Sequence, residues 1–363
     1  MTPIAELESY IASEILPAAA FAQYRLGDVA HRELQPYVVE LRRISQAYVT
    51  HDSGNRLSSP IADSRAAEAY ALYYTIINAA KILHLAPLLQ FERPEISILD
   101  VGCGPGTAAI SLLHALGKRL RITCVESSAP MRELAKRLIS AWNINGNLVD
   151  ITMRSTAQST PQTYDLVVAA NVLAELDQSE SQSTLDRLAQ SIAPSGYLLL
   201  VEPGQQQHTR RLMGLRDRVI YNRPELTPIF PCPRSGNCPM LVESMTDWCH
   251  DALEWKQPPL NAQLDQLLEF NKHRIKYAAF VFQRGGVARP GLRVITPPKK
   301  TRLGTEALVC ADSFYGTTTV RKSARSERTK PFEKAKVFER LLASEPLQAE
   351  VSTSTVFTKT NSP

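Results

Sequence analysis

One stretch constrains the fold of this chain more than any other: Ile96-Ser97-Ile98-Leu99-Asp100-Val101-Gly102-Cys103-Gly104-Pro105-Gly106-Thr107. An apolar run climbs to an acid, breaks into glycines at three alternate positions, and passes into an apolar helical pattern over residues 108–116. This predicts a buried parallel strand, a tight turn and a helix. Gly102, Gly104 and Gly106 permit positive φ and carry no Cβ, so a ligand can lie against bare backbone. A dinucleotide needs Gly-x-Gly-x-x-Gly, with its pyrophosphate on the helix N-terminus. Here the third glycine comes one residue early, and Pro105 intervenes.

The Asp-x-Gly-x-Gly-x-Gly form instead resembles the first motif of the class I S-adenosylmethionine-dependent methyltransferases. That cofactor has no phosphate to neutralise. It offers a methionine amino group for an acid such as Asp100, and a ribose and sulfonium that need close backbone. A second strand, Arg121-Ile122-Thr123-Cys124-Val125-Glu126, ends 20 residues after Gly106. A carboxylate at Glu126 can accept two hydrogen bonds from ribose hydroxyls.

The alternation of strand and helix begins at Ile96 and continues through strands at residues 148–154, 164–171 and 196–204, with helices at 130–142 and 183–192. A helix over 260–272 and a strand over 277–283 complete the pattern. The expectation is an α/β protein with a doubly wound, mostly parallel, Rossmann-like sheet. Ligands bind such sheets at the carboxyl ends of the strands, which places Asn171, Glu175 and Glu202 on the ligand side. Residues 1–94 read as helical. The stripe Tyr70, Tyr73, Tyr74 reads as core-facing, with base stacking the alternative. Residues 51–60 read as a loop, and Ser127 or Ser128 as the cap of the helix that follows the second strand.

Between the fifth strand and the last helix, residues 205–258 form an apparent insertion. It contains Pro231-Cys232-Pro233, Cys238-Pro239 and Trp248-Cys249-His250. Cys310 lies downstream, while Cys103 and Cys124 read as small core residues. Cys232, Cys238, Cys249 and Cys310 suit thiolate ligation of zinc or an iron–sulfur cluster, with His250 an alternative ligand. The spacing lacks the paired Cys-x-x-Cys knuckles of a zinc ribbon. Two other readings stand beside it: unrelated free thiols, and a catalytic Cys232. Pro-Cys-Pro is similar to the nucleophile of cytosine-C5 methyltransferases, but that cysteine belongs after the fourth strand, where Ala170-Asn171-Val172 stands.

Charge is placed unevenly. Residues 284–340 hold fourteen Lys or Arg against five Asp or Glu, about +9 on a chain of net +5. A basic C-terminal module (286–340) beside a mildly acidic body points to a polyanionic partner. No apolar run reaches membrane-spanning length, so no membrane partner is expected. Residues 1–14 show neither a secretory leader nor an Arg-rich transit peptide, so the cysteines are expected without disulfide-linked partners. The expected location is cytoplasmic and of bacterial type, with a mitochondrial one the alternative. Residues 341–363, rich in Ser and Thr, read as a disordered tail.

From about residue 43 to 325 the chain resembles the methyltransferase-like proteins of the small ribosomal subunit, found in mitochondria and bacteria. The resemblance rests on Ala69-Tyr70-Ala71-Leu72-Tyr73-Tyr74, the glycine turn, Glu202-Pro203-Gly204, Phe230-Pro231-Cys232-Pro233, Cys238-Pro239 and Arg293-Val294-Ile295. It implies a methyltransferase domain over 95–285 with a cysteine-rich, metal-binding insertion. It also implies a 4Fe-4S cluster on Cys232, Cys238, Cys249 and Cys310, and action on the small subunit or its rRNA during assembly. The cofactor pocket carried over is Asp100, Gly102, Gly104, Gly106 and Glu126, with Asn171 beside it. One departure bears on catalysis. Amino-group methyltransferases carry Asn-Pro-Pro-aromatic or Asp-Pro-Pro-aromatic after the fourth strand, whereas here the sequence is Asn171-Val172-Leu173-Ala174. Glu175 is the one base candidate nearby, so an rRNA methyltransferase and a non-catalytic assembly factor both fit. A small-metabolite methyltransferase leaves the basic module and the cysteines without a role.

Overall fold

The computed structural model describes residues 2–50, 59–142, 146–156, 162–288, 291–312, 314–337, 339–345, 347–352 and 354–360. Most of the loop expected at 51–60 lies outside them. The chain divides into two compact units, Met1–Arg187 with Leu253–Ile275, and Leu188–Ala252 with Lys276–Pro363.

In the first unit, helices Pro3–Ile15, Ala18–Leu26, His31–Thr50, Ser64–Tyr70 and Ile76–Leu85 precede the first strand. The strands are β1 (Glu95–Val101), β2 (Arg119–Val125), β3 (Leu148–Arg154) and β4 (Tyr164–Ala170), in the order β3-β2-β1-β4 with every pairing parallel. Helices Thr107–Ala115 and Ala129–Ala141 make the crossovers. The first buries Ala108, Ala109, Ile110, Leu112 and Leu113. The second is capped by Ser128, whose hydroxyl accepts from the Met131 N–H, and it has a proline in its first turn, where a missing N–H does no harm. Successive strands move one way from β1 to β3 and then jump back past β1 to β4. That reversal opens a crevice beyond the carboxyl ends of β1 and β4.

The tyrosine stripe does not face the core as a whole. Between the helices Ser64–Tyr70 and Ile76–Leu85 runs a π-helical turn, Ala71–Thr75. Its wider turn offsets the register of the rings. Tyr73 is buried and donates to the Asp265 carboxylate, while Tyr70 and Tyr74 are half-buried.

In the second unit, β5 (Ile192–Pro203) and β6 (Leu226–Phe230) flank β8 (Arg274–Arg284), which is antiparallel to both, and β7 (Asp251–Glu254) pairs with β8 off that path. The architecture is α/β with a mostly parallel sheet. The supposed insertion over 205–258 is a correction. Gln206–Asn222 is a helix and Leu226–Phe230 is a sheet strand, so the irregular part is far shorter. That helix is mostly polar, and its buried apolar face is only Leu212, Met213, Leu215 and Val219, too sparse to stand out in sequence.

The C-terminal module is a six-stranded sheet built from β9 (Leu292–Val294), β10 (Lys299–Lys300), β11 (Gly304–Ala311), β12 (Tyr315–Arg321), β13 (Arg340–Ala343) and β14 (Phe357–Lys359). The path is β10-β11-β9-β13-β14, with β12 beside β11. The disordered tail is a second correction, because the described part of residues 341–363 supplies β14 and most of β13. Leu341, Leu347, Val351 and Phe357 enter the module's own core with Val294, Val309, Val320 and Phe332. These four core residues are spread over 17 positions, five of them Ser or Thr, and give no periodic signal, yet they fill one core. The module's charge is also less open than the sequence suggests. Arg293 and Arg340 are buried, and Arg321, Arg325 and Lys330 pair with Glu350, Glu333 and Glu327. Lys299, Lys300 and Arg302 stand exposed at and beside edge strand β10. Among the described residues no helix is long and apolar enough to cross a membrane.

Candidate functional site

The crevice at β1 and β4 is a cleft of about 440 Å³, lined by Gly102, Gly104, Glu126, Asn171, Glu175, Tyr48 and Tyr70 among others. That volume suits a nucleoside-sized ligand. The three glycines do different work. All have positive φ, at 67°, 54° and 86°. A Cβ on Gly104 would meet nothing within 4 Å, so its backbone faces open space. A Cβ on Gly102 would press on Val172 at 2.7 Å, and one on Gly106 on Ile139 at 2.8 Å. Those two let neighbouring segments close-pack.

Glu126 links the two turns that flank the cleft. Its Oε2 accepts the Gly104 N–H at 3.0 Å and its Oε1 accepts the Ser128 N–H at 2.8 Å. Each oxygen keeps a second lone pair for a ligand hydroxyl. Asn171 ends β4 with φ 58°, a conformation in which asparagine is over-represented. Glu175, on the turn Leu173–Glu175, accepts the Tyr48 hydroxyl. Burial, reinforced by the charge of Glu126, pushes Glu175 up to about 7.

Asp100 departs from the expectation. It is 1% exposed and is not part of the cleft wall. Its Oδ2 has no hydrogen-bond partner. Burial first, then Glu126, pushes its carboxyl up to about 7 against the opposing effect of the Ala109 N–H. Gly106 is likewise behind the wall rather than in it. A carboxyl whose folded pKa is raised favours the folded state while protonated. Its contribution is present in full below the unfolded pKa, near 4, and is lost as pH rises through 7. Asp100→Asn removes that loss. The variant is expected to be more stable than the unmutated chain at pH 8 by about 2–4 kcal/mol and to show a flatter stability profile between pH 4 and 7. Urea denaturation across that range is the check, and an unchanged profile would sink the assignment.

The second unit brings Cys232, Cys238, Cys249 and Cys310 to the wall of one cavity, together with Arg216 and Arg293. Cys232 follows β6, Cys238 precedes the helix Pro239–Glu243, Cys249 precedes β7, and Cys310 lies on β11. Arg216 is buried; it donates to the Gly236 and Arg234 carbonyls and pairs with Asp217 at 2.6 Å. Asp217 in turn accepts the Cys238 N–H at 2.9 Å. Arg293 donates to Cys249 Sγ at 3.3 Å and to the His250 carbonyl at 3.1 Å, pairs with Asp251 at 3.3 Å, and lies over the Phe230 ring. Burial pushes the thiols up, Cys238 to about 12 and Cys249 to about 11, and Cys310 rises for the same reason.

Three sequence expectations change here. His250 is not on the cavity wall; its ring stacks on Trp248 and its Nδ1 lies 3.2 Å from the Trp248 carbonyl. Among the described residues, no group of three or more His, Cys, Asp or Glu is placed to hold a metal ion, so neither zinc nor a 4Fe-4S cluster is supported by the arrangement. Cys232 lines this cavity and not the cleft, which leaves the nucleophile reading without a place. Cys103 and Cys124 are buried, as expected.

Over 164 residues the chain is 27% identical to the carboxy-S-adenosyl-L-methionine synthase of Salmonella paratyphi C, covering 40% of this chain and 63% of that protein. Over 140 residues it is 32% identical to the highly reducing polyketide synthase GPY1 of Gibberella fujikuroi, covering 36% of this chain and 5% of that one. The chain thus spans less than two thirds of the length of the curated relatives it matches. Magnesium protoporphyrin IX methyltransferase from Synechocystis PCC 6803, solved with bound S-adenosylmethionine, is similar with a TM-score of 0.38 and 12% identity, over 69% of this chain and 96% of that one. Residues 62–337, well over half of the chain, match the family described as mitochondrial small ribosomal subunit Rsm22, and the chain belongs to that family.

Proposed function

We propose that this chain binds S-adenosylmethionine in the cleft of its first unit and acts on the small ribosomal subunit or its rRNA during assembly. The observation that carries the reading is the Gly104 peptide, open to the cleft and held by the Glu126 carboxylate. In this reading Gly104 gives backbone approach to the ribose and sulfonium, and Glu126 accepts the ribose hydroxyls with its remaining lone pairs. Gly102 and Gly106 let the turn close, Asn171 borders the ligand at the β4 exit, and Asp100 supports the turn from beneath. Family membership supports the partner.

The four cavity-lining cysteines would hold a 4Fe-4S cluster. What supports this is the donor set: four soft sulfurs line one cavity, the ligand type such clusters take. The cluster would supply positive charge that makes thiolates of buried thiols, pinning Cys310 of β11 to residues 232–249.

Lys299, Lys300 and Arg302 offer the exposed cationic edge for RNA phosphates. Co-migration with small-subunit particles should weaken with salt. Replacing the three by Ala should flatten the log–log salt dependence by roughly two to three units. Sedimentation of cell extract at low and moderate salt is the test; absence from small-subunit fractions at both salts would overturn the ribosomal reading.

A further inference from the structure

After β4 this chain has no Pro-Pro-aromatic segment, but rings reach the cleft from elsewhere. Tyr48 comes from the helix His31–Thr50 and Tyr70 from the end of Ser64–Tyr70, immediately before the π-helical turn, and both line the cleft beside Glu175 and Asn171. The Tyr70 ring packs on Tyr74 with centroids 5.1 Å apart, which fixes its plane. The Tyr48 hydroxyl is hydrogen-bonded to Glu175, and Tyr70 and Tyr74 lie close enough to act on Tyr48 electrostatically. Two aromatic rings and a carboxylate therefore line the same cleft without taking part in the hydrogen bonds that tie Glu126 to the Gly104 and Ser128 N–H groups.

We propose that Tyr48, Tyr70 and Glu175 form a subsite for an unstacked nucleobase bearing an amino group, the rings stacking on the base and Glu175 accepting its N–H. The proposal rests on the cofactor reading of the same cleft. Stacking is sequence-tolerant, because every base has a π-face. Selection comes from Glu175. Above pH 7, where the Glu175 carboxyl is ionised, it only accepts hydrogen bonds, so it welcomes an amino edge and repels the keto edge of uracil, and the measurements below are made at pH 8. Glu175 is faced by Glu126 and Tyr48, and Glu180 and Arg187 also line the cleft. If methyl transfer occurs, the amino nitrogen gives its lone pair to the methyl carbon and the carbon–sulfur bonding pair stays on sulfur, which becomes neutral. The nitrogen's proton passes to the Glu175 carboxylate.

The test uses the full chain saturated with S-adenosylhomocysteine and a short single-stranded RNA carrying one 2-aminopurine, an amino-bearing base whose fluorescence falls on stacking. A severalfold quench is expected. Tyr48→Leu and Tyr70→Leu should each remove most of it, while Tyr70→Phe should keep it and so controls for folding. Unlabelled cytosine-bearing RNA should displace the probe at least tenfold better than its uracil counterpart, and Glu175→Gln should erase that preference. Calorimetry with S-adenosylhomocysteine on the same samples separates the two readings. Cofactor binding without quench, quench unchanged in both leucine variants, or equal competition by uracil overturns this subsite alone. Absence of cofactor binding overturns the reading beneath it as well.

Discussion

Glu126→Ala is expected to weaken S-adenosylmethionine binding by about one to two orders of magnitude. The carboxylate makes charge-assisted bonds to the Gly104 and Ser128 N–H groups at 3.0 and 2.8 Å, and it is the acceptor left for the ribose. Each such bond contributes about 1.5–3 kcal/mol, and 1.4 kcal/mol is tenfold in affinity. Losing the ribose acceptor accounts for the first factor. Releasing the Gly104 peptide adds to it, because φ 54° at that position is held in place partly by this bond. Glu126→Gln keeps an acceptor oxygen and should fall between the two. Isothermal titration of both variants is the measurement. An affinity unchanged in Glu126→Ala would mean that the ligand does not touch this carboxylate.

Arg293→Leu is expected to destabilise the second unit by about 3–5 kcal/mol, as for removal of one partner from a buried ionic network. Arg293 is 2% exposed, and its guanidinium serves Cys249, the His250 carbonyl, Asp251 and the Phe230 face together. Removing it strands the Asp251 carboxylate, whose side chain is 16% exposed, so water recovers part of the loss. The effect should appear as faster amide exchange in the segment around residues 230–251 and in β9, with the first unit's strands unchanged. Equal protection in the variant and the unmutated chain would show that the arginine is not what holds the cysteine-bearing segments together.

The parts of the fold legible in sequence were those written locally. The run from Ile96 to Thr107 carries its own strand, turn and helix, because alternation, glycine placement and helical periodicity all act over a few residues. Glu126 was legible for the same reason. Asp100 was legible as an acid at the turn but not as a buried one. Its exposure depends on how the helix Thr107–Ala115 covers it, and motif spacing says nothing about that. The tyrosines failed in an instructive way. Helical spacing put Tyr70, Tyr73 and Tyr74 on one stripe, and the π-helical turn Ala71–Thr75 then dealt Tyr73 to the core and Tyr70 to the cleft. Tyr48 gave no signal, since its partner Glu175 lies far away in sequence. The four cysteines were legible as a set, but their convergence depends on β11 pairing with β9, a contact that local pattern does not encode. Strands β13 and β14 were missed because their partners are set by tertiary packing and their own runs are three or four residues long.

The proposed function stands on S-adenosylmethionine binding in the cleft beyond β1 and β4. The most direct measurement is isothermal titration of the full chain with that cofactor at neutral pH, alongside Glu126→Ala. Saturable binding to one site per chain is expected, complete well below millimolar cofactor and strongly weakened in the variant. No heat of binding up to millimolar cofactor, in a sample whose folded state is confirmed by circular dichroism, would contradict it.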